Sequence, residues 1–260
     1  MAYETILTER AGDVLVITLN RPDRLNAAPP AMFDEIRDAL GNLGDSRAVL
    51  FQGAGRAFCS GADVASGALA SADPGNATHA ALTDHYNPTI LAVTRLGVPV
   101  VSAVRGAAAG IGCSLALAAD FCVASDTGYF LQAFVNIGLV PDGGATWLLP
   151  RLVGRARAAE MMMLGEKVPA VKARDWGLVH SVVSDEQLEH EALALATRLA
   201  AGPTQALGMI RRGIGQALEL SLEEALAMEA NHQRSARGTA DSMEGGLAFL
   251  QKRKPDFTGK

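Results

Sequence analysis

Two glycine-bearing turns hold the residues whose types and spacing suit them to chemistry. Gly110-Ile111-Gly112-Cys113-Ser114-Leu115 follows the apolar, strand-like run Val98 to Val104 and opens a helix-like run ending near Asp120. The first N–H groups of such a helix have no intrahelical partner and can face a developing negative charge. In Pro141-Asp142-Gly143-Gly144 an acid stands beside two residues without side chains, so a ligand can approach both its carboxylate and the main chain. A backbone anion site plus one acid is what enolate chemistry on an acyl thioester requires. Asp142 has a second reading as N-cap of a helix beginning near Gly143, and the two roles do not exclude one another.

The elements that must position these turns alternate along the chain. Val14-Leu15-Val16-Ile17-Thr18-Leu19, Ala48-Val49-Leu50-Phe51-Gln52 and Val98-Pro99-Val100-Val101 read as strands, being short apolar runs with turn residues beside them. Between the first two, Met32, Ile36, Ala39, Leu40 and Leu43 recur at helical spacing, which predicts an amphipathic helix over Ala31 to Leu43. Gly67 to Asn87 lacks sustained periodicity and includes Pro74-Gly75, so it reads as a mobile loop or weak helix over the site. The Met161-Met162-Met163-Leu164 cluster before Gly165 reads as core packing at a helix end. After Gly202-Pro203 the pattern is helical to near Gly238, and Ser221-Leu222-Glu223-Glu224 is a capping box starting a helix through about Arg234.

Composition excludes several classes. The chain has 260 residues, 49% hydrophobic and 20% charged, enough for a large aliphatic core in one domain or one domain with a helical appendage. Its longest central uncharged apolar stretch, Gly106 to Ala119, is shorter than the ~20 residues that a membrane helix needs. A net charge of -5 argues against a general nucleic-acid surface. The three cysteines, Cys59, Cys113 and Cys122, are odd in number and unclustered, which fits a reducing cytoplasm. His79, His85, His180 and His232 show no metal-ligand spacing, so no metal is expected.

Four segments, in order, carry a family likeness: Asn20-Arg21-Pro22-Asp23-Arg24-Leu25-Asn26-Ala27, Ala57-Phe58-Cys59-Ser60-Gly61-Ala62-Asp63, Gly106 to Gly112, and Val140-Pro141-Asp142-Gly143-Gly144. They resemble the crotonase superfamily of enoyl-CoA hydratases and isomerases, and the stretch from Asp241 to Pro255 is similar to that family too. The resemblance implies an α/β fold, a spiral of ββα units forming two packed sheets with a C-terminal helical region. It also implies residues 1–200 as the acyl-CoA-binding core, 201–260 as a helical trimerisation region, and a trimer or dimer of trimers. Coenzyme A would enter as part of the substrate, with no separate cofactor.

By the same resemblance the two oxyanion N–H donors fall on Ala62 and Ile111, and Asp142 is the acid. Contacts to the acyl-CoA are expected from Arg24, Leu25, Ala27, Ala62, Asp63, Val64, Gly110, Ile111, Phe134, Gly143 and Lys252, with Phe130, Phe134 and Leu139 as candidate pocket walls. Asp63 is also readable as a turn cap, and Arg24, Lys252 and Arg253 as solvated surface charges. The hydratases of the family carry glutamates at the positions matched here by Ser114 and Phe134. Phenylalanine cannot deprotonate water, and no nearby His or Lys marks Ser114 as a base. One carboxylate suffices to move a proton from the α- to the γ-carbon, so the residues point to double-bond isomerisation. Asn136 to Asp142, Trp147 to Arg151 and Tyr86-Asn87-Pro88 look like the ring-epoxide phenylacetyl-CoA isomerase branch.

Three other readings stand beside it. A hydratase with a non-standard acid arrangement is one, and a non-catalytic acyl-CoA-binding or assembly protein is another. The glycines of Gly106 to Gly112 also resemble those of short-chain dehydrogenases, but the required Tyr-x-x-x-Lys pair is missing after Tyr3, Tyr86 and Tyr129, where Leu7, Ile90 and Ala133 stand instead.

Overall fold

A computed structural model describes residues 3–63 and 71–260. Val64, and the part of the Gly67 to Asn87 segment before residue 71, lie outside these described residues. The chain runs β1 (Ile6–Ala11), β2 (Val14–Leu19), α1 (Pro30–Gly41), β3 (Ala48–Gly53), α2 (Pro74–Ala81), α3 (Asn87–Arg95), β4 (Val100–Val104), β5 (Ala107–Ala109) and α4 (Ile111–Leu117). It continues through β6 (Phe121–Ser125), β7 (Tyr129–Leu131), α5 (Ala145–Ala159), β8 (Val168–Pro169), α6 (Ala170–Asp175), β9 (Ser181–Val183) and α7 (Leu188–Ala200). The final helices are α8 (Thr204–Ala217), α9 (Leu222–Arg237) and α10 (Ala240–Gln251).

A six-stranded sheet runs in the order β1-β2-β3-β4-β6-β9, parallel except for the β1–β2 hairpin. A second sheet of three strands is ordered β5-β7-β8. The chain visits the two alternately. β4 leads to β5 and then α4, β6 leads to β7 and then α5, and β3 leads to Cys59, which bridges Ala108 of β5 before the next helix. This is the expected spiral of strand–strand–helix units.

Period-two alternation sorts the long strands into two cores. Leu15, Ile17 and Leu19, with Val49, Phe51, Val100, Val104 and Ala124, face Met32, Phe33 and Ile36 of α1 and Leu115 of α4. Val14, Val16, Ala48, Leu50, Val101, Ala103 and Val123 face Leu188, Ala192, Ala196 and Ala200 of α7. Strands β2, β3, β4 and β6 are buried on both sides, which is why they read as apolar runs.

Several expectations shift. The predicted strand Val98–Val101 begins instead at Val100, beyond Pro99, which has no N–H to donate, and extends to Val104. The helix after Gly110 ends at Leu117, with Asp120 turned back to accept the Val100 N–H at 2.7 Å. The segment read as loop or weak helix is helical from Pro74, through a π-helical turn at Leu82–Tyr86, into α3. Its start is fixed by the Asp73 carboxylate, which accepts the Asn76 N–H at 3.1 Å. Of the methionine cluster only Met161 is fully in the core, while Met163 is 72% exposed. The Ser221–Glu224 capping box is present and starts α9.

Candidate active site

Two isolated bridges hold the Gly61-Ala62 segment beside the Gly110 turn and beside Ala28. The Cys59–Ala108 bridge is made by Cys59 N donating to Ala107 O and Ala109 N donating to Cys59 O, both at 2.9 Å. Ala28 then straddles Ala62, donating to Gly61 O at 2.8 Å and accepting from Asp63 N at 3.0 Å. In a parallel bridge the straddled residue points its own N–H the other way. The Ala62 N–H therefore has no partner among the described residues, and Ala62 is exposed. Ile111 is the first residue of α4, so its N–H has no intrahelical acceptor.

Gly110 joins these two donors. Its backbone lies at φ +51, and a Cβ there would sit 3.7 Å from Gly61 Cα and 3.5 Å from the Phe134 ring. A side chain would be strained at that angle and would also fill the space between the turns. Phe134, half-buried on the turn Ala133–Ile137, thus stands at the mouth of the site, where it offers no acid. Phe130 is wholly within the core, and Leu139 is 51% exposed.

The acid turn is pressed onto α4. At Gly143, φ is +58 and a Cβ would lie 2.3 Å from Ile111 Cδ1 and 2.9 Å from Ser114 Cβ, so no larger residue fits. Helix α5 is not capped by Asp142. Its N-cap is Gly144, and no side chain caps it, because two glycines with positive φ carry the chain away from Asp142 before the helix begins. The Asp142 main-chain oxygen accepts the Ala145 N–H at 3.1 Å and the Ser114 hydroxyl at 3.0 Å. Its carboxylate is left over: Oδ1 is buried without a hydrogen-bond partner. Burial alone pushes the Asp142 carboxyl up to about 6.

Tyr86 is a site neighbour that periodicity missed. The π-helical turn delivers its ring into the core against Phe33, with centroids 4.7 Å apart, and its hydroxyl donates to Ala28 O at 2.8 Å. Burial first, then the negative Asp142, pushes the phenol up, which sets the two groups in one electrostatic neighbourhood. Its one sequence signal was the Tyr86-Asn87-Pro88 likeness.

The remaining candidates divide. Arg21 donates to Asp63 at 2.8 Å and also to Ala27 O, clasping the Arg21–Ala27 segment to the one that bears Ala62. Asn26, wholly buried, donates to Ala54 O and Ala57 O in the same clasp. Leu25 and Asn26 lie at φ 51 and 54 within it. Arg24 is exposed beside them. Lys252 is the left-handed C-cap of α10, and no hydrogen bond or ion pair among the described residues ties it to this cluster. No group of three or more metal-ligating side chains occurs among the described residues.

Among the described residues, the mixed α/β spiral of strand–strand–helix units thus carries the unpaired Ala62 and Ile111 N–H groups and a half-buried acid, Asp142, on a turn packed against α4. The model of the enoyl-CoA hydratase/isomerase family matches residues 9–260, and the chain belongs to that family. It is 43% identical over 261 residues, all of both chains, to a Rhodobacter capsulatus protein named "Probable enoyl-CoA hydratase". It is 40% identical over 260 residues, 99% of each chain, to the 1,2-epoxyphenylacetyl-CoA isomerase of Escherichia coli. A crystal structure of an enoyl-CoA hydratase from a Polaromonas species superposes with a TM-score of 0.92 at 34% identity, covering 97% of this chain and 99% of that one. The protein is thus an enzyme of acyl-CoA metabolism. Among the described residues no helix is long and apolar enough to cross a membrane.

Proposed function

We propose that this protein is an acyl-CoA isomerase that shifts a double bond between the β,γ and α,β positions. The observation that carries this reading is the Asp142 carboxyl, whose Oδ1 is buried without a hydrogen-bond partner on a turn packed against Ile111, together with the unpaired Ala62 and Ile111 N–H groups. Ionised Asp142 takes the α-proton of a 3-enoyl thioester, and the electrons pass to the thioester oxygen. The Ala62 and Ile111 N–H groups receive that charge, each such donor contributing about 2.7–4 kcal/mol to the transition state. The protonated carboxyl then returns the proton to the γ-carbon, and the double bond moves into conjugation. A carboxyl at about 6 is mostly ionised at neutral pH, yet is a better base than an ordinary aspartate.

Hydration would need a second group to handle water. Phe134 has none to offer, and the Ser114 proton is committed to the Asp142 carbonyl. The E. coli relative's name supports the isomerase reading, and the R. capsulatus name favours the hydratase alternative. Purified protein assayed for 3-enoyl-CoA isomerisation and for crotonyl-CoA hydration decides between them. Isomerisation should exceed hydration across several chain lengths; hydration at an equal or greater rate overturns the reading, and neither activity with retained acyl-CoA binding points to a non-catalytic protein.

The acyl-CoA is assigned to the surface made by Arg24, Leu25, Ala27, Ala62, Asp63, Gly110, Ile111, Phe134 and Gly143, with Lys252 as a more distant phosphate contact. The working form is a homo-oligomer, trimer or dimer of trimers. Support comes from the apolar residues left uncovered on α9 and α10, among them Leu222, Phe249 and Leu250 at 77%, 83% and 78% exposure. Light scattering of the full chain should give a multiple of three protomers; a monomer at micromolar concentration would rule that out.

A further inference from the structure

We infer that Ser114 is the positioning residue for Asp142, its hydroxyl fastening the acid-bearing turn to the same helix that carries the Ile111 donor. The inference rests on the isomerase reading above. Ser114 follows Ile111 by three residues on α4, so the two side chains share one face of the helix. Gly143 is seated on both: a Cβ there would meet Ile111 Cδ1 at 2.3 Å, Ser114 Cβ at 2.9 Å and Ser114 Oγ at 3.1 Å.

The hydroxyl is 1% exposed with its residue and donates to Asp142 O at 3.0 Å. That oxygen also accepts the Ala145 N–H at 3.1 Å, so both of its acceptor positions are used and the orientation of the peptide is fixed. Among the described residues no other side chain hydrogen-bonds any part of Pro141–Gly144. With its main chain held this way, the carboxylate of Asp142 keeps one buried oxygen free of hydrogen bonds.

Because the Ser114 proton is occupied by a main-chain carbonyl, the residue acts through Asp142 and not on the substrate. One helix then sets both the anion donor and the base. Proton transfer is steep in distance, and a misplacement of about 1 Å can cost on the order of a hundredfold. Water reaching a loosened turn would also bring the carboxyl back toward the ordinary aspartate range. The titratable group whose proton feels the Asp142 charge is Tyr86, on the turn before α3.

The test is Ser114→Ala, a substitution that suits a helix, measured beside Ser114→Cys and Asp142→Asn. Ser114→Ala should lower kcat for isomerisation and α-proton exchange about ten- to a hundredfold, with KM for a 3-enoyl-CoA little changed. The acidic limb of its kcat profile should move to lower pH, which mere loss of stability would not cause. Ser114→Cys keeps a weak donor and should recover part of kcat. Wild-type kcat and an unmoved limb in Ser114→Ala overturn the inference, as does a loss that tracks thermal unfolding and acyl-CoA affinity alone. Asp142→Asn separates the two claims: if it abolishes exchange while Ser114→Ala is silent, only the positioning role fails. If Asp142→Asn is itself near wild type, the isomerase reading fails and the positioning role with it.

Discussion

Asp120 and Asp142 are carboxylates partly withdrawn from water on opposite terms. Asp120 receives the Arg211 Nε–H at 2.6 Å on each oxygen and the Val100 N–H at 2.7 Å, and Arg211 also donates to Thr94 O and Leu96 O. Burial still outweighs these partners and holds the Asp120 carboxyl above its ordinary range. Asp142 has no such set, and its Oδ1 faces nothing. The first acid uses its desolvation to dock α8 onto the strand that leads to the site. The second leaves its hydrogen-bonding capacity unspent, which suits a group that must bind and release a proton.

The largest effect should come from Asp142→Asn. Removing a positioned base should cost about 10²–10⁴-fold in isomerase turnover and in α-proton exchange into deuterated water. Acyl-CoA affinity should fall little, since the Ala62 and Ile111 N–H groups are main chain. Stability should move the other way. The Asp142 carboxyl lies at about 6 against an ordinary 3.8, so the folded state binds its proton more tightly than the unfolded chain does. Stability therefore falls as pH rises from about 4 to about 6, and the cost persists above that window. Near pH 8 the Asn variant should be more stable than wild type by on the order of 1–3 kcal/mol, and near pH 4 the two should unfold alike. A folded Asn variant with undiminished exchange, or one destabilised at pH 8, contradicts this account of the acid.

Much of this contrast was legible in the residues. The two glycine turns, β2, β3, α1 and the cap of α9 all follow from patterns that act locally. What escaped depended on contacts distant in sequence. Strand β1 is buried only at Ile6, so no alternation marks it, and β5 and β7 are three residues long, too short for any period. Helix α2 buries none of its residues, and the π-helical turn after it shifts the phase, so a count at 3.6 residues loses Tyr86. The cap reading of Asp142 failed because two positive-φ glycines, not one, separate it from α5. That its carboxylate is left without a partner could not be read from the chain, because it depends on where α4 and Ser114 come to rest.

Breaking the Asp120 pair should give a smaller effect of the opposite kind. Arg211 is 6% exposed in its side chain and Asp120 25%, so Arg211→Ala would strand a partly exposed carboxylate. Losing one partner of a fully buried pair costs roughly 3–5 kcal/mol, and the exposure of Asp120 places this site below that range. The loss should be greater near pH 8 than near pH 4, because protonation relieves an unpaired buried carboxylate. Asp120→Asn combined with Arg211→Met should recover much of the stability, since replacing both charges with uncharged side chains removes the desolvation cost, and the Asn oxygen can still accept the Val100 N–H. Turnover per folded molecule should stay close to wild type in both variants, because Asp120 and Arg211 touch neither Ala62, Ile111 nor Asp142. Chemical denaturation and isomerase kinetics on the same preparations test the division of labour. If Arg211→Ala keeps its stability but loses turnover as Asp142→Asn does, the two acids are not separate devices, and the docking of α8 reaches into the catalytic geometry.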